Sequence, residues 1–134
     1  MEISATLQDQ FADAINTALG STAPEARFYS AAYAAELAVC PLNATGTSSF
    51  GAAATGLITL DIDPVVENTG TPVSGTAALL ALYATTGAAA TAFVVAMGLA
   101  ATGSEITMSN PAILTTDTIQ VSSLTIQVPT GTPS

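Results

Sequence analysis

The sequence has almost no cationic side chains. Its 134 residues contain one arginine, Arg27, and neither lysine nor histidine, against ten Asp and Glu residues, which gives a formal net charge of −9. Proteins that bind a nucleic-acid backbone contact its phosphates with Lys and Arg, so this composition excludes nucleic-acid binding of that kind. The absence of histidine removes the commonest general acid–base group near neutral pH. We therefore expect no nucleic-acid partner.

Cysteine is nearly absent as well. Cys40 is the single cysteine, so no internal disulfide can form and no Cys/His zinc cluster exists. We interpret Cys40 as a small buried hydrophobic residue. A serine nucleophile activated by histidine is impossible, and no glycine-rich turn is followed by Lys and Ser or Thr. The sequence therefore predicts no cofactor, no metal and no enzymatic activity.

One acidic cluster leaves an alternative open. Asp61, Asp63 and Glu67 follow the pattern D-x-D-x-x-x-E. Alternating carboxylates in a loop can converge on Ca²⁺, although the further ligands of an EF-hand loop are missing. The favoured interpretation is a solvated strand end that prevents edge-to-edge pairing. Whether these three residues bind a cation stays open.

The chain has no charged residue between Glu67 and Glu105. Within this stretch, residues 77–97 are long enough and apolar enough to suggest a membrane span. Thr85-Thr86-Gly87 reads as a turn in its middle, and no Lys or Arg flanks either end. We expect a buried β-hairpin and no membrane contact. The alternative is a small, holin-like membrane protein that uses residues 77–97.

The clearest helix lies at the N-terminus. Leu7, Phe11, Ile15 and Leu19 recur every four residues, which predicts one apolar stripe. The pattern Thr6-x-x-Asp9 resembles a capping box, and Gly20 stands where a helix C-cap is expected. The stripe can pack on the chain's own sheet or reach a partner. These four residues are the candidate interaction residues.

The rest of the chain has a residue pattern that is typical of short β-strands. Alternating apolar residues and Gly, Pro and Thr turns recur down to Val128, and the alternation changes phase at Ser122-Ser123, which indicates a bulge or a bend between sheets. The predicted fold class is mainly β, a compact antiparallel β-sandwich or jelly-roll-like domain with one short N-terminal α-helix. Residues 1–22 would form an N-terminal arm and helix, and residues 23–134 the β-sandwich, within a single compact domain.

Five segments carry a family resemblance: LQDQFADAINTALG, RFYS, SFGAAATGLITLDI, GTAALLALYATTGAAATAFVVAMG and GSEITMSNPAILTTDTIQVSSLTIQVP. Together they resemble small phage and prophage virion structural proteins of the capsid decoration, or cement, type. The chain departs from the similar sequences at Ala81-Leu82-Tyr83, where they usually carry a Trp-Phe-Arg-like run. Because of this departure, the first strand of the predicted hairpin need not make the partner contact that the similar proteins make there.

The resemblance implies a bacteriophage structural protein that binds the outer surface of the major capsid protein shell and stabilises it. Its partners would be the major capsid protein and copies of itself, with a trimer as one arrangement. It would be made in the host cytoplasm and end on the capsid exterior. A tail or head–tail component is the alternative within this class. The helix, through Leu7, Phe11, Ile15 and Leu19, would reach the neighbouring subunit.

Overall fold

The chain folds as an N-terminal helix followed by short β-strands. The computed structural model describes residues 3–19, 25–42, 54, 56–59, 66–84, 93–101, 106–121 and 124–128. The predicted mainly β class with a helix at the start is confirmed. The elements are α1 Ala5–Leu19, β1 Glu25–Tyr29, β2 Glu36–Pro41, β3 Leu57–Thr59, β4 Val66–Glu67, β5 Gly75–Thr76, β6 Leu79–Tyr83, β7 Val95–Ala100, β8 Ile106–Thr107, β9 Ala112–Ile113, β10 Gln120–Val121 and β11 Thr125–Gln127.

The larger layer is a five-stranded sheet in the order β2-β1-β6-β7-β8. The hairpin expected within residues 77–97 is present, because β6 and β7 pair antiparallel with Leu80 opposite Met97, but its second strand runs beyond residue 97 to Ala100. The turn predicted at Thr85-Thr86-Gly87 lies outside the described residues. Strand β8 departs from the antiparallel expectation, since it pairs parallel to β7 through Leu99 and Ile106.

A second layer consists of three short antiparallel ladders, β4 with β10, β3 with β11 and β5 with β9. Its buried side chains share one apolar core with the inner face of the five-stranded sheet, which gives sandwich-like packing. The ladders contribute Ile113, Ile119, Val121, Leu124, Ile126 and Val128, and the sheet contributes Ala26, Phe28, Ala38, Cys40, Leu80, Leu82, Met97 and Leu99.

The phase change between β10 and β11 separates two ladders. Val121 and Ile126 are both buried although their alternations have opposite phase. Strand β10 pairs with β4, whereas β11 pairs with β3, so the chain changes ladder between the two strands. The serines at which we predicted the change, residues 122 and 123, lie outside the described residues.

Helix α1 begins two residues earlier than the predicted capping box. The Leu7 amide donates to Ser4 Oγ at 3.2 Å, and the Gln8 amide donates to the Ser4 carbonyl at 3.0 Å, so Ser4 is the N-cap. The Thr6–Asp9 box was therefore wrong. Ser4 lacks an acid or glutamine three residues on, which is why the pattern favoured Thr6.

Asp9 attaches the helix to the second layer instead of capping it. Its Oδ1 accepts from the Gly56 amide at 2.6 Å, immediately before β3. Gly56 has φ +72, and a Cβ there would lie 2.9 Å from Gln8 Cβ. Both the left-handed backbone and the close approach of the helix therefore require glycine.

The outer edge of the five-stranded sheet at β2 is covered by the chain itself. The Thr69 amide donates to the Val39 carbonyl at 2.8 Å, and the Val73 amide donates to the Leu37 carbonyl at the same distance. A covered edge does not template pairing with another strand. Across the described residues, no helix combines the length and the apolarity that crossing a membrane requires.

Candidate functional site

An apolar groove runs between helix α1 and the strands β7 and β11. Its volume is about 640 Å³. Ile15 and the exposed side of the helix form one wall, and residues 94–97 and 125–128 form the other. None of the described residues that line it carries a charge, in a chain whose net charge is −9. A surface of this kind makes contact through shape and dispersion, without ion pairs.

Helix α1 has two apolar stripes. The inner stripe, Gln8, Ala12, Ile15 and Leu19, faces the core, where Ala12 and Leu19 are buried with the strand residues. The outer stripe is exposed along its whole length. Both stripes follow the spacing 4-3-4 that keeps residues on one face of a helix. The outer stripe consists of Leu7, Phe11, Ala14 and Ala18.

The four predicted interaction residues are divided between these stripes. Leu7 is 37% exposed and Phe11 49% exposed, so both belong to the outer stripe. Ile15 is half-buried and lines the groove, and Leu19, 1% exposed, packs in the chain's own core. Steps of four residues turn about 40° further than a full helical turn, so a strict four-residue repeat drifts around the helix. The predicted stripe, which has Ala14 and Ala18 beside the four residues, therefore included the groove's helical wall, but the candidate interaction residues left those two alanines out.

The opposite face of the five-stranded sheet carries a buried polar group, the Arg27 cluster, composed of Arg27, Glu25, Glu36, Tyr29 and Tyr83. Arg27 Nε and Nη2 donate to Glu25 Oε2 at 3.2 and 3.0 Å. Arg27 Nη1 donates to Glu36 Oε2 at 3.1 Å. The Arg27 Cζ lies 4.5 Å from the centroid of the Tyr83 ring. The guanidinium is therefore held by two carboxylates and an aromatic face.

The two phenols extend this network. Tyr29 Oη donates to Glu36 Oε2 at 3.2 Å and lies 2.9 Å from Tyr83 Oη. Either phenol can be the donor in the contact between Tyr29 and Tyr83. Burial, then the hydrogen bond with Tyr83, raises the pKa of Tyr29 above its ordinary value of 10. Both rings are almost fully buried, so this network rigidifies the sheet.

Strand register brings the cluster together. Glu25, Arg27 and Tyr29 alternate along β1 and therefore share one face. Across the sheet, β6 places Tyr83 opposite Glu25 and β2 places Glu36 opposite Tyr29. The second pairing depends on a β-bulge, because the register shifts after Phe28 and skips one residue of β2.

The sequence contains a signal for the β1 part of this cluster, whose residues were not among the predicted interaction residues. Glu25, Arg27 and Tyr29 at spacing i, i+2, i+4 predict one face of a strand. A chain with a single cation in a strand must also pair it if the strand is buried. Burial lowers the pKa of Arg27, but the hydrogen bonds and charges of Glu25, Tyr29 and Glu36 outweigh this and raise it. Arg27 therefore stays charged and engaged inside the protein.

Cys40 is buried and chemically quiet. Its thiol lies 3.8 Å from the Ile119 carbonyl, to which it donates a weak hydrogen bond. Burial raises the pKa of Cys40 to about 12. Because the thiolate is the reactive form, this cysteine is inert near neutral pH. The expectation of a small buried residue at this position agrees with its packing in the core.

The carboxylates near the surface are used within turns and ladders. Asp61 and Asp63 lie outside the described residues, and Glu67 Oε1 accepts from Gln120 Nε2 at 2.8 Å across the β4–β10 ladder. Asp117 lines a second concavity of about 780 Å³. Its Oδ2 accepts from the Leu114 amide at 2.8 Å and so closes a turn. In the described part of the chain, no three His, Cys, Asp or Glu residues are grouped to hold a metal ion.

Comparison with known proteins gives no relative. No family model matches the chain, and the searches of curated proteins and of solved structures find no match either.

Proposed function

We propose that the protein is a bacteriophage virion structural protein, a capsid decoration protein that binds the outer surface of the major capsid protein shell and stabilises it. The observation that carries this proposal is the uncharged apolar groove beside α1, in a chain whose one cationic side chain is engaged internally. Such a surface suits permanent contact with another protein. The sequence resemblance to cement proteins supplies the class of assembly.

Charge supports the exterior of the capsid as the location. A net charge of −9 without lysine repels packaged DNA, so this protein suits the side of the shell that faces away from the genome. The proposed partners are the major capsid protein and other copies of this chain. Contacts with both would rest on apolar surface and backbone hydrogen bonds, because Arg27 is engaged internally and the described residues that line the groove include no carboxylate.

The copy number per particle tests the proposal. Virions are purified from the host that produces them, and the protein is quantified by mass spectrometry against the major capsid protein. A decoration protein is expected at hundreds of copies. A few copies to a few tens would instead favour the tail or head–tail alternative, and absence from the particle would overturn the proposal.

The chemistry of the contact can be tested on the same particles. An apolar contact is insensitive to screening, so the protein should remain on shells that are washed in about 1 M salt, where charges are screened within about 3 Å. Release by salt alone would contradict the proposed contact.

A substitution at the groove completes the test. Deletion of α1 would remove Ala12 and Leu19 from the core, so the informative change is Phe11→Asp, at an exposed position. Occupancy of the shell should fall with Phe11→Asp. It should not fall with the matched control Val73→Asp, which adds the same charge at a residue that is 53% exposed and lies on the loop beside β2. Equal loss in both variants would argue against a contact at the groove.

A further inference from the structure

We propose that the outer stripe of helix α1 binds the same stripe of a second copy of this chain, as an antiparallel helix pair about a twofold axis. The inference rests on the proposed function in that it specifies the contact between copies of this chain, and because pairing is measured on the purified chain, its failure is distinguishable from a failure of capsid binding. The outer stripe is exposed and apolar, and it has bulky residues in one half and alanines in the other.

The order of large and small residues makes the stripe complementary to itself. The bulky residues Leu7 and Phe11 are followed by Ala14 and Ala18. When two copies lie antiparallel, Leu7 of each copy faces Ala18 of the other, and Phe11 faces Ala14. The 4-3-4 spacing is the spacing of a knobs-into-holes seam. A large residue against alanine at every level lets the helix axes approach to about 8–10 Å.

A parallel pair of the same stripes fits poorly. It would set Phe11 against Phe11 and leave Ala14 against Ala14, so the helices would be forced apart at one end and leave a gap at the other. Interiors and interfaces need close packing, and both overpacking and voids destabilise them. The antiparallel order also sets the two helix dipoles in opposite directions.

The groove supplies the space that a second copy needs. Ala14 and Ala18 form its helical wall together with Phe11 and Ile15, and the sheet residues 94–97 form the other wall. In the antiparallel register, the Phe11 ring of the second copy lies over Ala14, where the groove opens. It would therefore bury its ring against apolar residues from both the helix and the sheet.

Charge selects a second copy as the occupant. Two copies that each carry −9 can approach closely only where both surfaces lack carboxylates. The positions that flank the outer stripe are Gln8, Gln10, Ile15 and Thr17, all uncharged. In helix pairs these flanking positions usually carry the charges that choose a partner of opposite sign. Their neutrality removes the like-charge penalty for self-pairing and offers nothing to attract a basic partner.

The register can be tested by disulfide trapping. Leu7→Cys and Ala18→Cys are made as separate single variants of the full chain, then oxidised alone and as a mixture. Facing positions in the antiparallel pair bring the two Cβ atoms to the separation of about 4 Å that a disulfide needs. The mixture should give crosslinked dimer, and neither variant alone should, because in the antiparallel pair residue 7 does not face residue 7 and residue 18 does not face residue 18. The unaltered chain, whose Cys40 is buried, is the control and should give none.

Sedimentation at rising protein concentration gives a second, independent measurement. One helical seam is smaller than a standard interface, so we expect a pair that dissociates in the micromolar range or weaker, about 1 µM to 1 mM. Phe11→Asp should abolish the pair, and Val73→Asp should leave it unchanged. A monomer at all concentrations up to about 1 mM, a trimer, or self-crosslinking of Leu7→Cys alone would overturn the proposal.

Discussion

The Arg27 cluster and the groove beside α1 use opposite chemistry. The cluster gathers the chain's one arginine, two carboxylates and two phenols on a buried face of the five-stranded sheet. The groove, between α1 and the strands β7 and β11, is open to solvent and lined by described residues without charge. Among the described residues, the ion pairs of Arg27 therefore lie on the sheet's buried side, and the groove is an uncharged apolar surface open to solvent.

This division follows from the scarcity of cationic side chains, since the chain has only one. A chain with many cations can distribute surface ion pairs, each of which stabilises by at most about 1 kcal/mol. This chain has one, and it lies where its removal leaves the buried Glu25 carboxylate uncompensated in the interior. The four predictions that follow separate the two regions, from the largest expected effect on stability to the smallest.

The largest effect is expected at Arg27. In Arg27→Met the Glu25 carboxylate, whose side chain is 4% exposed, would lose its ion pair. An unpaired buried charge costs about 3–5 kcal/mol, measured as the free energy of unfolding in urea. Glu36→Gln is the control, because Glu36 is 41% exposed and should cost no more than about 1 kcal/mol.

A double variant separates the ion pair from the packing. Arg27→Met combined with Glu25→Leu removes both charges, and it should recover most of the stability that the single change loses. A loss below about 1 kcal/mol in Arg27→Met would show that the cluster is not needed for the fold.

The second-largest loss of stability is expected at Gly56, where helix α1 contacts the residue before β3. Gly56→Ala forces a Cβ into the left-handed region and against Gln8, so it should destabilise the chain by about 2 kcal/mol. Gly70→Ala is the matched control, since Gly70 has φ +71 but nothing within 4 Å of the added Cβ. Its cost should be the backbone strain alone, about 1 kcal/mol. Thermal or urea unfolding of both variants measures the difference, and equal costs would contradict the close helix contact.

Stability should fall at alkaline pH because of buried groups on the sheet. Folding raises the pKa of Cys40 from 9 to about 12 and also raises that of Tyr29 above 10. The unfolded chain therefore loses these protons first, and the stabilisation present at neutral pH is lost as the pH rises from about 9 to 12.

Tyr29→Phe tests which group is responsible. It should flatten the decline above about pH 10 and leave the earlier part, which belongs to Cys40, in place. Urea unfolding at a series of pH values from 7 to 12 would measure both slopes. If the free energy of unfolding of Tyr29→Phe fell with pH as steeply as that of the unaltered chain, Tyr29 would not contribute to the alkaline loss of stability.

The smallest effect on stability is expected at the groove. Phe11→Asp changes an exposed residue, so the free energy of unfolding should change by less than about 0.5 kcal/mol. The same variant should lose self-association, which Arg27→Met, if it is folded at low temperature, should retain. A Phe11→Asp chain that unfolds would place Phe11 in the core and remove the contrast between the two regions.

The sequence predicted where the helix and the strands lie better than it predicted which of their side chains are buried. Two apolar runs separated by a turn pattern located the β6–β7 hairpin. Alternation located the two opposed phases around Ser122-Ser123, because burial of every second residue gives the sequence a period of two. The helix was found, but its stripe was assigned from four-residue spacing, which joins exposed Phe11 to buried Leu19. The 4-3-4 spacing separates the inner stripe of α1 from its outer stripe.

Spacing along the chain predicts only the β1 part of the Arg27 cluster. Its members come from β1, β2 and β6, and the contact with Glu36 depends on a bulge that changes the register by one residue. Pairing register between distant strands is set by the whole core, which a local pattern does not report. The groove depends in the same way on how α1 is held against Gly56.

The salt dependence of self-association tests the central claim, that charge is used inside and apolar surface outside. The full chain is sedimented at about 10 mM and at about 1 M salt, where the screening length falls from about 30 Å to about 3 Å. We predict that the pair persists or strengthens in high salt, because copies of net charge −9 then repel each other less. Dissociation on addition of salt would contradict the claim, since it would place intermolecular ion pairs at the interface.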